Sequence, residues 1–436
     1  MPRVVVVGGG IAGLAAAYEL RNRAEVVVLE STDRVGGKLR TSEIAGVPVD
    51  EGAESMLARV PEAVGLAREI GCDIVHPATS SASIWVHNHL RPLPTGTVLG
   101  VPTTPGPLVR SRILSLSGVL RAGADLVLPR TQLSEDPAVG EYVRARVGPQ
   151  IVDRLVDPLL GGVYAGRADE LSLRATVPQL VPATHRRSLI QGARALRPPQ
   201  SDAPVFAAVP DGLGAFAAAL ADRCGADVRL DHPVRELRRT PEGWQVDDIA
   251  ADAVILAVPA AAARRLLADV APHSSALLGG VPYASVAIAT FAFRGVDLPA
   301  GSGFLVPPSE RRLIKAATFS SRKWAHLDRD GLAIVRCSAG RAGDEKDLQR
   351  DDDELTGVLA AELGEATGVH ARPVAVRLTR WGGALPQYLP GHLERVAGIR
   401  SALPDGISVC GAAYDGVGVP ACIRSARAAA ALAVPA

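Results

Sequence analysis

At 436 residues the chain can hold roughly two or three domains around a sizeable core. Its 47 Lys+Arg against 46 Asp+Glu leave a net charge of +1, so the charge balance points to no nucleic acid or other polyelectrolyte partner. Five cysteines, odd in number, widely spaced and without a C-x-x-C pair, argue against a disulfide framework and suit free thiols in a reducing compartment, the cytoplasm.

Val4 to Val7 are consecutive valines, the run expected of a strand buried on both faces of a parallel sheet. Gly8, Gly10 and Gly13 follow as Gly-x-Gly-x-x-Gly, and an Ala-rich helical stretch runs from Ile11 to about Arg21. Gly8 makes the turn, Gly10 lets backbone N–H groups approach a pyrophosphate, and Gly13 lets helix and strand pack closely. The helix N-terminus faces the negative charge. A second Val-rich strand over 26–29 ends on Glu30, seventeen residues after Gly13 and placed to accept hydrogen bonds from a ribose. A glycine triplet alone has purely steric uses. Strand, glycines, helix, second strand and acid in this order predict a dinucleotide-binding unit. No signal peptide is expected ahead of a strand that begins at Val4.

Further along, Val49-Asp-Glu-Gly52-Ala53-Glu54-Ser55 reads as a short strand running into a turn, and 61–70 as a helix with Pro61 in its first turn and Gly71 past its end. Residues 84–103 are strand and turn, and 108–157 are largely helical. Gly161 to Gly166 is a flexible turn, and 185–199 is basic and poorly periodic, an expected exposed loop. A helix over 212–223 and short strands at 228–230, 234–237 and 244–246 precede a buried strand at 252–259. Residues 286–293 and 332–337 suit an antiparallel sheet. Residues 271–293, free of Asp, Glu, Lys and Arg, contain two Pro and two Gly, which argues against a membrane-spanning helix. Asp351 to Glu354 crowd a helix N-terminus, a capping pattern rather than a metal site. His87 and His89 lack the partners of a zinc site, so no metal is expected. A strand at 374–381, a strand at 407–411 and a Gly-rich turn leading into a helix at 421–432 close the chain.

Several of these stretches resemble a known family. Glu30-Ser31-Thr-Asp-Arg-Val-Gly-Gly37-Lys38 is similar to the extension after the ribose acid in FAD-dependent amine oxidases. Leu90 to Gly96, Asp157 to Gly166, Leu171 to Leu180, Ala384 to Tyr388 with Gly391-His392, and Gly416 to Ile423 resemble the protoporphyrinogen/coproporphyrinogen oxidase family, most closely its Gram-positive branch. The implied fold is α/β: a discontinuous Rossmann-like FAD-binding domain (1–75, 205–270 and 375–436), a helical insertion (76–204), and an antiparallel-sheet region (271–374) within an α+β substrate-binding domain.

The implied activity is removal of six electrons from a porphyrinogen, with oxygen as acceptor and hydrogen peroxide released. Hydride leaves a methylene bridge for the flavin, and protons leave pyrrole nitrogens. Coproporphyrinogen III is the expected substrate, and protoporphyrinogen IX the alternative. A flavin amine oxidase, a carotenoid desaturase and a non-catalytic porphyrin-binding flavoprotein stand further off. The resemblance also leaves room for transient contact with the downstream iron chelatase.

By family pattern, FAD contacts fall on Gly8, Gly9, Gly10, Ile11, Ala12, Gly13, Glu30, Ser31, Gly37, Lys38, Gly52, Ala53, Glu54, Ser55, Val234, Trp381, Val417, Gly418 and Val419. Binding is expected to be non-covalent, because no His or Cys sits in a flavin-linkage context; Cys422 lies in the family-type C-terminal stretch. The other branch carries an Arg for a propionate ahead of strand 84–86, where this chain has Ala82-Ser83. The anchor must lie elsewhere. Arg59, Arg91 and Arg167 are candidates because they sit in or beside family-type stretches, with Arg59 favoured because it closely follows the turn Gly52 to Ser55. Tyr388 either lines an apolar slot or simply packs. Residues 108–130, apolar with four Arg, fit a membrane-docking surface or a core helix about equally.

Overall fold

A computed structural model describes residues 1–132, 134–197 and 203–435. Two sheets organise it. The first is parallel, five strands in the order Asp227–Arg229, Glu25–Leu29, Arg3–Val7, Ala253–Leu256, Ile407–Val409. Val4 and Val6 of its central strand pack against the helices Ile11–Leu20, Leu213–Arg223 and Val419–Ala433. Val5 and Val7 face a three-stranded meander over 237–251 and the helix Ala260–Leu266. With both faces covered, an unbroken valine run is favoured over alternation.

Helix Ile11–Leu20 lies against the strand loop at a distance only glycine permits. A Cβ on Gly13 would sit 1.9 Å from the Gly8 carbonyl oxygen. Its Ala-rich body brings Val419–Ala433 close alongside, which binds the two ends of the chain into one core.

The second sheet has seven strands, in the order Ala375–Pro386, Tyr283–Arg294, Leu332–Ala339, Ile314–Phe319, Gly303–Leu305, Ser83–Val86, His89–Pro92. All neighbours are antiparallel except Gly303–Leu305 with Ser83–Val86. The segment 76–204, expected to be largely helical, thus contributes an edge hairpin. Strand Ala375–Pro386 belongs by its hydrogen bonds to this sheet and not to the parallel one. One face packs Ala289, Phe291, Val335, Cys337 and Phe319 under the helix Asp352–Thr367 through Leu355, Leu359 and Leu363. Asp351 caps that helix, its carboxylate accepting from Glu354 N at 2.8 Å, as the acid cluster predicts.

Residues 105–195 form a helical layer over a core that includes Tyr142, Leu155, Leu160 and Tyr388. Within it, Val152–Val156 is a widened π turn just ahead of Pro158. Proline lacks the N–H of a regular helix and crowds the preceding turn, which accounts for the widening. The expected loop at 185–199 is corrected: Leu189–Ala195 is a helix, with Leu189, Ile190 and Ala193 buried. Ser188 caps it, and Asp125 accepts from Ser188 Oγ and Ile190 N while pairing with buried Arg146. So short a helix shows little periodicity, and its stability comes from these partners. Pro198 and Pro199 lie outside the described residues. In 108–130, Leu108, Ile113 and Ala122 are buried, whereas Leu116, Leu120 and Val127 are largely exposed, so the stretch is not simply a core helix. Among the described residues no helix is long and apolar enough to cross a membrane.

Gly13→Ala should lower stability by about 1–3 kcal/mol or more, the usual cost of forcing atoms into a packed site. A denaturant midpoint equal to wild type would show that the helix can shift away from Gly8.

Candidate functional site

The three motif glycines are needed for three different reasons. Gly8 has φ +107° and would place a Cβ 2.6 Å from Ala257 O. Gly13 is required by packing. Gly10 is required by neither: its φ is −73°, and a Cβ there would meet no protein atom within 4 Å. Gly10 is also the N-cap of Ile11–Leu20 without a side-chain cap, so no side chain accepts from the first-turn N–H groups of Ile11, Ala12 and Gly13. Space that only a ligand can use, in front of bare N–H groups, is what a pyrophosphate requires.

The residues around this opening hold it in shape. Gly9 N donates to Glu30 Oε2 at 2.8 Å, and Glu30 Oε1 accepts from Thr32 N, Thr32 Oγ1 and Ser31 Oγ. Gly36 N donates to Gly9 O at 2.8 Å, and Gly37, in the left-handed region, lies close over Gly10. Lys38 follows, its ammonium donating to Ala384 O, and burial lowers its pKa. The residues present therefore fit a dinucleotide.

A second helix start is bare in the same way. Gly418 is the exposed N-cap of Val419–Ala433, again without a side-chain cap, and Val417 beside it is half-buried. Tyr388 supports this loop from beneath. Its hydroxyl donates to Ala412 O at 2.6 Å and accepts from Gly416 N at 2.8 Å, and its ring stacks on His392 at 3.9 Å. Tyr388 is 1% exposed, so it shapes the loop and has no free surface to line a slot. Burial pushes the Cys422 thiol up to about 12.

The turn after Val47–Asp50 is fastened to the antiparallel sheet. Gly52 leaves no room for a side chain, because a Cβ would come 2.4 Å from Lys38 O. Trp381 Nε1 donates to Glu51 O at 3.0 Å, and Arg336 donates to Gly52 O. Glu54 pairs with Lys323 at 2.6 Å and Arg336 at 2.5 Å. Despite its burial, these two cations hold its carboxyl at about 2. Glu54 is thus committed to the sheet, while Ala53 is exposed and Ser55 half-buried. Val234 is buried under the meander, its carbonyl accepting from Arg265 at 2.8 Å.

Opposite the helix-covered face, the antiparallel sheet carries an incompletely covered row. Thr379, Ile288, Ser338, Ala316 and Leu305 are cross-strand neighbours in register, and each is half-buried although most lie on interior strands. Helix Asp157–Tyr164 borders it: a Cβ on Gly162 would be 3.6 Å from Leu305, and Val163 is exposed. None of the five row residues is aromatic.

Of the three arginine candidates, Arg91 sits opposite Ile84, which is in register with Leu305, so it lies on the same sheet face at its edge. Arg167 is exposed and acts electrostatically on Asp157. Arg59 is exposed beyond the strand Met56–Leu57, and no side-chain hydrogen bond or ion pair of its own is found among the described residues. Sequence reasoning missed Lys323 and Arg336. For Arg336 a signal exists, a lone cation inside an apolar strand; the partners it implies come from distant segments.

The flavin-containing amine oxidoreductase family matches residues 11–434. A coproporphyrinogen III oxidase of Mycobacterium tuberculosis is 40% identical, over 97% of this chain and 95% of that protein. A protoporphyrinogen oxidase of Bos taurus is 31% identical, over 98% and 97%. A crystal structure from Exiguobacterium, provisionally named a protoporphyrinogen oxidase, superposes with a TM-score of 0.88 at 31% identity, covering 98% of both chains.

Two outcomes are expected. Gly10→Val should purify without flavin while its apoprotein melts like wild-type apoprotein, because the added atoms enter only the ligand's space; flavin retained at wild-type stoichiometry would contradict this. Glu54 ionises near 2 when folded against an ordinary 4.5, so its contribution, on the order of 3 kcal/mol, is full above about pH 4.5 and lost as pH falls toward 2. The stability gap between wild type and Glu54→Gln, read by denaturant unfolding, should narrow as pH falls from about 5 to about 3. A pH-independent gap would show that the charge is not what stabilises the turn.

Proposed function

The chain belongs to the flavin-containing amine oxidoreductases, among the porphyrinogen oxidases, and from that premise we propose that it oxidises coproporphyrinogen III to coproporphyrin III in haem biosynthesis. FAD is the cofactor, and when bound it supplies a two-electron acceptor for C–H oxidation. Oxygen is the final acceptor, each electron pair leaving as hydrogen peroxide, and the reaction runs in the cytoplasm.

The observation that carries this reading is the open row Thr379, Ile288, Ser338, Ala316 and Leu305, a floor of small and aliphatic side chains with two hydroxyls, on the sheet to which the turn Glu51–Gly52 is fastened. A macrocycle lies flat on such a floor, and the helix Asp157–Tyr164 keeps water from its edge. The uncapped N–H groups of Ile11 to Gly13 and of Val419 would hold the phosphates and the isoalloxazine end of FAD, Glu30 and Ser31 its ribose, and Trp381, Gly52 and Lys38 the side next to the sheet. An amine oxidase reading is disfavoured by the absence of aromatic residues from the row, since a small cation is gripped by aromatic faces. In this division the cradle is built from the two ends and middle of the chain, and the hairpin 83–92 and strand Ala375–Pro386 go with the substrate-binding sheet.

Coproporphyrinogen III, the more carboxylate-rich substrate, is preferred because candidate cations lie at the edges of the floor. Arg91 lies on its face at the sheet edge and Arg167 just past the helix that borders it, and Arg59 is exposed beyond the strand Met56–Leu57. Mixing the FAD-loaded protein with coproporphyrinogen III in air should give coproporphyrin fluorescence and peroxide together, and faster than protoporphyrinogen IX gives protoporphyrin. Arg91→Ala should raise KM for coproporphyrinogen III by roughly tenfold, with a smaller effect on protoporphyrinogen IX and unchanged flavin content. Fluorescence no faster than the uncatalysed rate with either substrate would refute the assignment.

A further inference from the structure

Beyond the Leu305 end of the open row lies a buried charge cluster with no role in the site described above. Lys315 is the bulged residue between Ile314 and Ala316, 5% exposed, with Nζ donating to Gly340 O at 3.0 Å. Arg341, 8% exposed, donates from a terminal nitrogen to Val306 O at 2.7 Å, and its buried Nε has no partner. Asp157, also 8% exposed, accepts from Ala168 N at 2.6 Å through Oδ1, and its buried Oδ2 has no partner.

The cluster adjoins the open face. Ala316 follows Lys315 and Leu305 precedes Val306, and these two residues end the row. Ala342 N donates to Ala165 O at 2.7 Å, fastening Arg341 to the end of helix Asp157–Tyr164, and Arg341 Nε lies 4.0 Å from where a Cβ on Gly161 would stand. Exposed Arg167 is the outer neighbour, acting on both Asp157 and Arg341, and Asp344 is the other acid acting on Arg341.

Buried polar groups are normally bonded, and a buried cation without a counterion is costly. Here Arg341 Nε and Asp157 Oδ2 are buried without partners in a cluster where three cations and two acids act on one another. Burial drives Lys315 down to about 7, Arg341 down and Asp157 up, each toward its neutral form.

We propose that Lys315 and Arg341 form a binding site for a carboxylate of the ligand on the open face, which on the porphyrinogen reading, on which this rests, is one propionate of the tetrapyrrole. A carboxylate seated there supplies the missing negative charge and accepts from Arg341 Nε and the Lys315 ammonium, both charge-assisted bonds. Asp157 competes with it by like-charge repulsion. The assignment adds an inner pair of cations to the rim arginines and makes Asp157 a tuner of affinity.

The test is equilibrium binding of coproporphyrin III and of its uncharged tetramethyl ester to the FAD-loaded protein at neutral pH, followed by flavin content, melting temperature and porphyrin fluorescence. Lys315→Met should weaken binding of the acid by about tenfold or more and leave the ester unchanged. Asp157→Asn keeps an acceptor for Ala168 N but loses the charge, and should tighten the acid several-fold. General damage to the fold cannot produce these opposite signs. Equal weakening of acid and ester by Lys315→Met, or no tightening by Asp157→Asn, overturns the site. A wild-type protein that binds neither porphyrin overturns instead the tetrapyrrole reading on which the site rests.

Discussion

The start of the helix Ile11–Leu20 has to stay bare. An ordinary helix of this length gains about 1 kcal/mol from a Ser, Thr or Asp at its N-cap. Here Gly10 occupies that position and leaves the donors unsatisfied by any side chain. The rest of the cradle follows from protecting that gap. Gly13 brings the helix against the Gly8 carbonyl, Glu30 pins Gly9 from one side, and Gly36 and Gly37 close over Gly10 from the other. The valine strands supply the rigidity, since both faces of the parallel sheet are covered. Helix Val419–Ala433 repeats the arrangement at Gly418, a second helix start without a side-chain cap.

The cradle and the open floor belong to different sheets, and their spacing is set by buried charge. Glu54 carries Lys323 and Arg336, Trp381 reaches the Glu51 carbonyl, and Arg377 donates to Ser42 O, Ser42 Oγ and Val49 O. Apolar residues of the right volume would often join two elements as firmly, but they would tolerate sliding. Charged groups with directional bonds fix one register. That matters where a reacting carbon must lie within contact distance of a cofactor, because small misplacements are costly in rate. The same logic separates Glu54 from Asp157. Glu54 is fully paired and holds the frame, whereas Asp157 is left short of partners next to the floor.

What was legible in the sequence was local. Val4 to Val7, the glycine spacing and Glu30 lie within one βαβ unit, so each residue's environment is set by near neighbours. The capping acids at 351–354 are legible for the same reason. Strand 374–381 was recognisable from its composition, but its sheet was not, because membership depends on pairing with residues some ninety positions earlier, such as Ala287↔Arg380. Tyr388 illustrates the same limit: its place in a family-type stretch suggested a slot lining, while its hydroxyl is spent on Ala412 and Gly416. Lys315 gave no local warning. Its burial arises from a bulge and from a helix some 150 residues upstream, neither of which has a signature in residues 312–318.

The central claim is that a porphyrinogen lies on the open floor against the bound flavin. It is tested most directly by mixing the FAD-loaded protein anaerobically with coproporphyrinogen III and following the oxidised-flavin absorbance band. The account predicts loss of that band at a rate that saturates with porphyrinogen concentration, and its return when air is admitted. A band unchanged by either coproporphyrinogen III or protoporphyrinogen IX would contradict it.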